Sequence, residues 1–432
     1  MKGGDNMIKF DYLSTLFVGI DVSSKTNVVC AMDFYSNQLI SCSVRNNQPG
    51  AFDLSIKIQE CFHKHKNLNT LVIALESTSV YSLHIANFLS SCEELMPFHP
   101  YVFCLNPKMT ANYRKSFLGM SKTDPLDAYI IADFARVGRI NIDPWRGSQF
   151  LALQRLTRHR LHLIEAVTRE KTYMISNLFL KFSELALLSD DEKPFSNNYG
   201  ATASSVLTEF FSMDDILNTS DEDLIAFLNT KSKNRFNNTS KTADLLRKAA
   251  RDSYRLDQCL YEPLNTSISS SFNCINAFKK EIQIIDKAIS KTVNGLNPDA
   301  YKILTSINGI GPVFAAGIIS EIGDISVFHS QDALAKYSGL TWHKSQSGNF
   351  NADETHMTKA GNRYLRYYLG EAANSIRKHI PEYYDYYHKK FDEVPKHKHK
   401  RALALTSRKL VRLIFGLLTK NQLYSSNRVD NF

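Results

Sequence analysis

Two acids in the stretch "KTDPLDAYIIADFA" have the spacing of a functional pair. Asp124 and Asp127 lie three residues apart, so they share one face of a helix that Thr123 would cap and Pro125 would open. Acids in a first helical turn can also simply complement the helix dipole. Other acids in the chain are needed to decide between these two interpretations.

Two further carboxylates are carried by apolar strands. Asp21 follows "TLFVGI", and Glu76 follows "TLVIAL". A lone carboxylate in such a strand costs several kcal/mol unless it is paired or bound to a metal. Two strand acids and a helix-borne pair supply the hard oxygen ligands that two Mg²⁺ ions need to polarise a phosphate, with Mn²⁺ as an alternative. The four acids together predict a two-metal phosphoryl-transfer site.

The elements that must position these acids alternate between strand and helix. Over residues 1–145, three strand-like segments in antiparallel succession precede a helix–strand–helix–strand–helix order. This is the element order of a ribonuclease-H-like α/β domain. The predicted fold class is therefore α/β in this part of the chain and all-α in the rest.

The sequence pattern over residues 146–295 predicts a long helical connector of coiled-coil type. It contains a polar, Ser/Asn-rich insertion at about 188–241, interpreted as helical pieces with mobile connections. These helices are expected to brace the molecule and to dimerise. The alternative is nucleic-acid contact through the basic residues Arg155, Arg158, Arg160 and Lys171.

A small, mostly helical domain is predicted for 296–390 and a basic helix for 391–432. The "GIGP" stretch, with Gly309 and Gly311, resembles a helix-hairpin-helix turn, which either approaches a phosphate closely or only joins two helices. From residue 340 to residue 420, sixteen Lys/Arg face seven Asp/Glu, an excess equal to the formal net charge of +9. A phosphate-bearing partner is expected.

The composition also indicates in which cellular compartment the protein is expected. Seven scattered cysteines without a CxxC pair predict neither a disulfide framework nor a structural zinc site. No apolar run reaches the roughly 18 to 20 residues of a membrane span. A cytoplasmic protein without a membrane partner is expected.

Several motifs, in this order, resemble the DEDD transposases of bacterial insertion sequences of the "one-ten" family. They are "GIDVSSKT", "ESTSVY", "LNPKMTANYRKSFLGMSKTDPLDA", "GIGPVFAAGIISEIGD", "YSGLTWHKSQSGNFN" and "MTKAGNRYLRYYLGEAA". The resemblance covers residues 15–140 and 300–380. It implies a RuvC-like N-terminal domain, a coiled-coil connector and a C-terminal transposase domain.

By this resemblance, Asp21, Glu76, Asp124 and Asp127 correspond to the metal-binding D-E-D-D set. The family also uses a serine nucleophile that precedes a glycine. Ser347 matches it best because Gly348 follows, and Ser345 is the alternative. The serine would hold one DNA end as a phosphoserine ester, which conserves bond energy for rejoining.

Four basic residues are predicted to contact nucleic acid: Lys122, Lys359, Arg363 and Arg366. The resemblance further implies target and donor DNA, an element-encoded guide RNA, homodimers that pair into tetramers, and association with the bacterial nucleoid. Two rivals stay open. One is a RuvC-like nuclease that cuts junctions or strands without serine chemistry, and the other is a non-enzymatic nucleic-acid-binding protein.

Overall fold

A computed structural model describes residues 10–77, 80–117, 123–140, 144–145, 149–189, 192–342, 346–347, 350–351 and 357–425. The chain divides into two compact units. Unit 1 comprises Met1–Gln149 with Ser326–His329, and unit 2 comprises Phe150–Ile325 with Ser330–Phe432. The finer predicted division, at residues 145, 295 and 390, stays a prediction.

Unit 1 is built on one five-stranded mixed sheet. Its strands, in chain order, are β1 (Thr15–Val22), β2 (Thr26–Met32), β3 (Gln38–Arg45), β4 (Thr70–Glu76) and β5 (Pro100–Leu105). They lie in the order β3-β2-β1-β4-β5, with β1, β2 and β3 antiparallel and with β4 and β5 parallel to β1. The predicted strand succession is confirmed, and the arrangement is consistent with a ribonuclease-H-like domain.

The central strand β1 is buried on both faces because its apolar residues continue without alternation. The helices of the unit are α1 (Gln48–Lys64), α2 (Tyr81–Ser91), α3 (Pro107–Arg114) and α4 (Asp124–Arg136), with short 3₁₀ turns at Tyr12–Ser14, Glu93–Phe98 and Ile325–Val327. Leu16 and Ile20 pack in one core with α1 and α2, whereas Phe17 packs in a second core with α4. The sheet therefore separates two apolar layers.

Unit 2 contains two long helices that pack along each other, α5 (Leu151–Lys181) and α11 (Gln258–Leu296). Five shorter helices connect them: α6 (Ser183–Leu187), α7 (Ala201–Glu209), α8 (Met213–Asn218), α9 (Asp221–Ser232) and α10 (Thr239–Asp252). The predicted coiled-coil character of α5 corresponds to apolar residues that are buried, namely Leu163, Val167, Met174 and Leu178. These residues are four, seven and four positions apart, so they form an apolar stripe on one side of α5, which explains why the two helices associate.

The predicted insertion at 188–241 is more regular than its polar composition suggests. Its helices bury Val206, Leu207, Ile216, Leu224 and Leu228 in one core with α5 and α11. These residues recur at helical spacing within a polar background, so a few apolar positions suffice to fold the segment. The described part of the insertion is a helical subdomain.

In the described residues, the rest of unit 2 is helical apart from one hairpin. Its elements are α12 (Pro298–Thr305), α13 (Pro312–Ile322), α14 (Gln331–Ser338), β6 (Gln346–Ser347), β7 (Phe350–Asn351), α15 (Arg363–Ile376), α16 (Pro381–Asp392) and α17 (Lys398–Lys420). The "GIGP" turn joins α12 to α13, and Gly309 has φ +100°, which favours glycine. Among the helices of the described residues, none combines the length and apolar composition that a bilayer span requires.

Candidate active site

Asp21 and Glu76 lie at the same end of two neighbouring parallel strands. The β1–β4 pairing runs to Ile20 opposite Leu75, and the two acids are the next residue on each strand. Side chains alternate between sheet faces. Ile20 and Leu75 face the α1–α2 core, so the two carboxylates project to the face covered by α4.

Helix α4 packs directly on β1 because residue 19 is glycine. A Cβ on Gly19 would lie 2.2 Å from the Ala128 carbonyl oxygen and 2.3 Å from the Ala132 nitrogen. The side chains of Ala128 and Ile131 are buried against the sheet, and Asp124 and Asp127 each precede one of them by four residues. The two acids therefore continue the sheet-facing stripe of α4 by one turn.

Helix α3 contacts two of the four acids. The Thr110 hydroxyl donates to Glu76 Oε2 over 3.0 Å, and Arg114 forms an ion pair with Asp127. Neither residue had been assigned a role from sequence. The available signal was local, because Asn106 caps and Pro107 opens a helix, but which acids this helix would meet depends on the fold.

The donor set fits divalent cations in type, since four carboxylates on one sheet face supply hard oxygens. It does not fit in distance. Within the described ranges, no three His, Cys, Asp or Glu side chains converge closely enough to hold a metal ion. Arg114 is the cation beside Asp127, and its Nη2 is buried without a hydrogen-bond partner among the described residues.

The serine predicted as nucleophile lies in the β6–β7 hairpin of unit 2. Ser347 pairs with Phe350 across this hairpin, whereas Ser345 lies outside the described residues. The chain on either side is tied together. Thr358 N–H donates to the Thr341 carbonyl over 2.8 Å, and the two hydroxyls lie 3.1 Å apart. Trp342 and Met357 form a further antiparallel bridge.

Arg366 contacts the base of this loop. Its Nη1 donates to the Ser338 carbonyl over 3.0 Å and to the Lys359 carbonyl over 3.1 Å. Burial lowers the pKa of Arg366. A guanidinium between two carbonyls on opposite sides of a loop holds those sides together. The predicted contact of Arg366 with nucleic acid stays a prediction.

A buried polar network fixes the start of α15 to the long helix α5. Asn362 caps α15 by accepting from Tyr364 N–H and Leu365 N–H, and its Nδ2 donates to Glu321 Oε2 over 2.7 Å. Glu321 is 2% exposed and accepts two hydrogen bonds from Arg158, over 2.7 and 2.8 Å. Burial alone would lower the pKa of Arg158, but the Glu321 carboxylate raises it.

The other predicted nucleic-acid contacts have different surroundings. Lys122 lies outside the described residues, and Lys359 is exposed with φ +50°. Arg363 is exposed at the first position of α15, with its guanidinium 4.7 Å from the centre of the Tyr364 ring. DNA or RNA contact by these residues stays a prediction.

A mixed sheet with acids at the ends of two adjacent strands and a helix-borne acid pair beside them is consistent with a domain of the ribonuclease-H-like class. Two family models then match the chain. The DEDD transposase model of IS110 matches residues 18–182, and the transposase model of the IS116/IS110/IS902 family matches residues 301–388, together more than half of the sequence. The chain belongs to the IS110 family of transposases, a family of DNA-acting recombinases.

Three individual proteins with similar sequences have names that fit this family. The pilin gene-inverting protein of Moraxella lacunata is 28% identical over 37% of this chain, which spans 46% of that protein's length. The insertion element IS116 uncharacterized 44.8 kDa protein of Streptomyces clavuligerus is 24% identical over 95% of this chain and 96% of its own length. The transposase of insertion sequence IS1111A from Coxiella burnetii is 26% identical over 39% of this chain and 43% of its own.

Proposed function

We propose that this protein is the transposase of an insertion sequence, and that it cuts and rejoins DNA through a serine ester with divalent-metal assistance. The observation that carries the proposal is the position of Asp21 and Glu76 on the sheet face that α4 covers, with Asp124 and Asp127 continuing the same stripe. The relatives named for pilin gene inversion and transposition support DNA as substrate.

In the proposed reaction, the Ser347 oxygen attacks the phosphorus of a DNA phosphodiester. A new P–O bond to serine forms, the bond to one deoxyribose oxygen breaks, and that oxygen leaves with a proton. Attack by a strand-end hydroxyl on the serine ester reverses the exchange, so the number of phosphoester bonds is constant and no ATP is needed. Asp21, Glu76, Asp124 and Asp127 would hold a divalent ion only after their carboxylates move closer together, and that ion would supply charge stabilisation at the reacting phosphate.

The contacts of unit 2 support a positioning role for its buried residues. The Thr341–Thr358 bonds and Arg366 fasten both sides of the loop that carries Ser347, and Asn362 links that region to α5 through Glu321. A nucleophile attacks efficiently only when its supporting structure holds it near the reacting atom. The two ends of the loop are therefore held together by hydrogen bonds within unit 2.

The proposal extends to the assembly. The acids belong to a RuvC-like domain in unit 1 and the serine to unit 2, and homodimers pair into tetramers so that one subunit's serine meets another subunit's acids. An element-encoded guide RNA selects target and donor by base pairing. The basic excess over residues 340–420 supports a nucleic-acid surface in unit 2.

A denaturing gel tests the chemistry. Purified protein, co-expressed element RNA, Mg²⁺ and labelled target and donor DNA should give label that migrates with the protein. This band should be lost with Ser347→Ala and Asp124→Ala and kept with Ser345→Ala. Cleaved strands that remain free of protein and are unaffected by Ser347→Ala would instead identify the rival, a metal-dependent nuclease.

A further inference from the structure

A cavity of about 500 Å³ opens on the first turns of α5, lined by Arg155, Leu156, Arg158 and His159. Arg155, Arg158 and His159 have offsets of three and four residues, so their side chains share one face of the helix. The buried residues of the same turns, Leu153, Thr157 and Leu161, lie on another face. The cavity is thus a basic pocket on a face of α5 that the buried residues of these turns do not occupy.

The charges in this pocket are not all neutralised. Arg158 donates hydrogen bonds from Nε and Nη2 to the Glu321 carboxylate, which balances the charge of the guanidinium. Arg155 and His159 are exposed, and neither is paired with an acid within the part of the chain that the structure describes. Because a guanidinium is always charged, the described residues leave a positive charge in the pocket uncompensated.

The contacts also separate the basic residues of α5 by role. Arg160 is paired with Asp286, at 2.5 Å, and the Lys171 ammonium lies 5.0 Å from the centre of the Tyr199 ring. These two side chains bind the neighbouring helical structure. Of the three arginines in the first turns of α5, Arg158 and Arg160 are paired with acids, whereas Arg155 has no ion-pair partner among the described residues and remains available to an external anion.

Tyr364 connects the pocket to a further exposed cation. The Arg158 guanidinium lies 4.4 Å from the centre of its ring and the Arg363 guanidinium 4.7 Å from it, and Arg363 Nη2 donates to the Tyr364 hydroxyl over 3.2 Å. Positive charge therefore continues from α5 to the first residue of α15. A row of cations suits a chain of phosphates better than a single small anion.

We propose that this pocket binds a phosphodiester of a nucleic-acid backbone, with Arg155 as the principal contact. Arg158 is a positioning residue, because Glu321 and Tyr364 fix its guanidinium in the wall of the pocket. The inference rests on the proposed function for the nature of the ligand, since DNA and RNA share the phosphodiester. It does not depend on serine chemistry.

The test is equilibrium binding in EDTA, where no strand transfer interferes. The probes are a short DNA duplex and a single-stranded RNA of equal length, both of arbitrary sequence, titrated at several salt concentrations. For Arg155→Gln we expect affinity to fall about tenfold and the log–log salt slope to drop by about 0.9 on duplex DNA, or about 0.7 on single-stranded RNA. Arg155→Lys should keep most of the slope.

Arg251→Gln is the matched control, because Arg251 is exposed on α10 in the same unit and its loss changes net charge equally. A change with Arg155→Gln on one probe only would assign the pocket to that nucleic acid, and a change on both would assign it to the shared backbone. An unchanged slope and affinity on both probes, with the thermal melt of the variant also unchanged, would overturn the proposal. Absence of a serine adduct in the gel assay would leave this result standing.

Discussion

At the scale of single residues, two of the four acids contact side chains that the sequence motifs did not identify. Thr110 and Arg114 come from the short helix α3 and contact Glu76 and Asp127. A positive charge beside a carboxylate stabilises its ionised form and competes with any other cation for the same oxygen. Arg114 is therefore expected to oppose metal binding at Asp127.

Replacement of this arginine gives the first prediction. Arg114→Gln should tighten Mn²⁺ binding, on the order of tenfold, because one competing charge is removed. The measurement is a Mn²⁺ titration followed by electron paramagnetic resonance of the free ion. Lys115→Gln removes an exposed charge one residue away and should change little. Weaker Mn²⁺ binding by Arg114→Gln would mean that Arg114 orients Asp127 for the metal.

At the scale of elements, the acid pair depends on how closely α4 approaches β1. Gly19 permits that approach, since any side chain there would overlap the backbone of Ala128 and Ala132. Inserting a methyl group into a packed contact costs roughly 1–3 kcal/mol. Helix α4 would have to move away from the strand that carries Asp21.

Gly19→Ala is therefore predicted to loosen α4. Hydrogen exchange of the amides of Asp124–Arg136 should become faster, and the unfolding temperature of unit 1 should fall. Gly295→Ala is a suitable control because a Cβ at this helical position in α11 would meet nothing within 4 Å. Unchanged protection of α4 in Gly19→Ala would contradict the packing argument.

The loop that carries Ser347 gives a second prediction at this scale. Arg366→Met removes the guanidinium that joins the Ser338 and Lys359 carbonyls, so amides of residues 340–358 should exchange faster. Lys378→Met, an exposed position just beyond the end of α15, should leave exchange in the loop unchanged. Equal protection in both variants would show that Arg366 does not hold the loop.

Sequence pattern was sufficient for some of these elements and insufficient for others. The apolar runs around Asp21 and Glu76 are long and uninterrupted, so both strands could be predicted. Arg366 had the pattern of a phosphate contact on a helix face, but its partners are 28 and 7 residues away and depend on the loop geometry. The helical pieces of the polar insertion were predicted, but which of its few apolar residues pack against α5 and α11 depends on the tertiary fold.

At the scale of the whole molecule, unit 2 contains a buried cation that is paired with no carboxylate among the residues that the structure describes. Lys181 is fully buried, and its Nζ donates to the carbonyls of Leu207 and Phe210, each over 2.7 Å, and to Asn265 Oδ1 over 2.5 Å. This group joins the end of α5 to the helical insertion and to α11. Burial lowers the pKa of Lys181 to about 8.

The lowered pKa predicts how stability changes with pH. The unfolded chain, with an ordinary lysine, binds this proton up to a higher pH than the folded chain does. The contribution of Lys181 to stability must therefore rise as pH increases through the window between the folded pKa of about 8 and the ordinary value of 10.5. The effect of this one group is at most on the order of 3 kcal/mol.

A comparison of wild type with Lys181→Met isolates this contribution. The difference in unfolding free energy of unit 2 between the two proteins should shift in favour of wild type from pH 7 to pH 10, measured by urea denaturation. Tyrosines whose pKa is raised by burial, such as Tyr368, act in the opposite direction, but they are common to both proteins. A difference that is independent of pH would mean that Lys181 does not titrate in this window.

The most direct test of the central claim is to locate the covalent bond by mass spectrometry. The reaction of protein, element RNA, Mg²⁺ and element DNA is stopped by denaturation, the DNA is digested to a nucleotide remnant, and the protein is cut with trypsin. Cleavage after Lys344 and Lys359 releases one peptide that contains both Ser345 and Ser347. The account predicts a nucleotide joined through its phosphate to the Ser347 oxygen. An unmodified peptide accompanied by free cleaved DNA, or a remnant on Ser345, would contradict it.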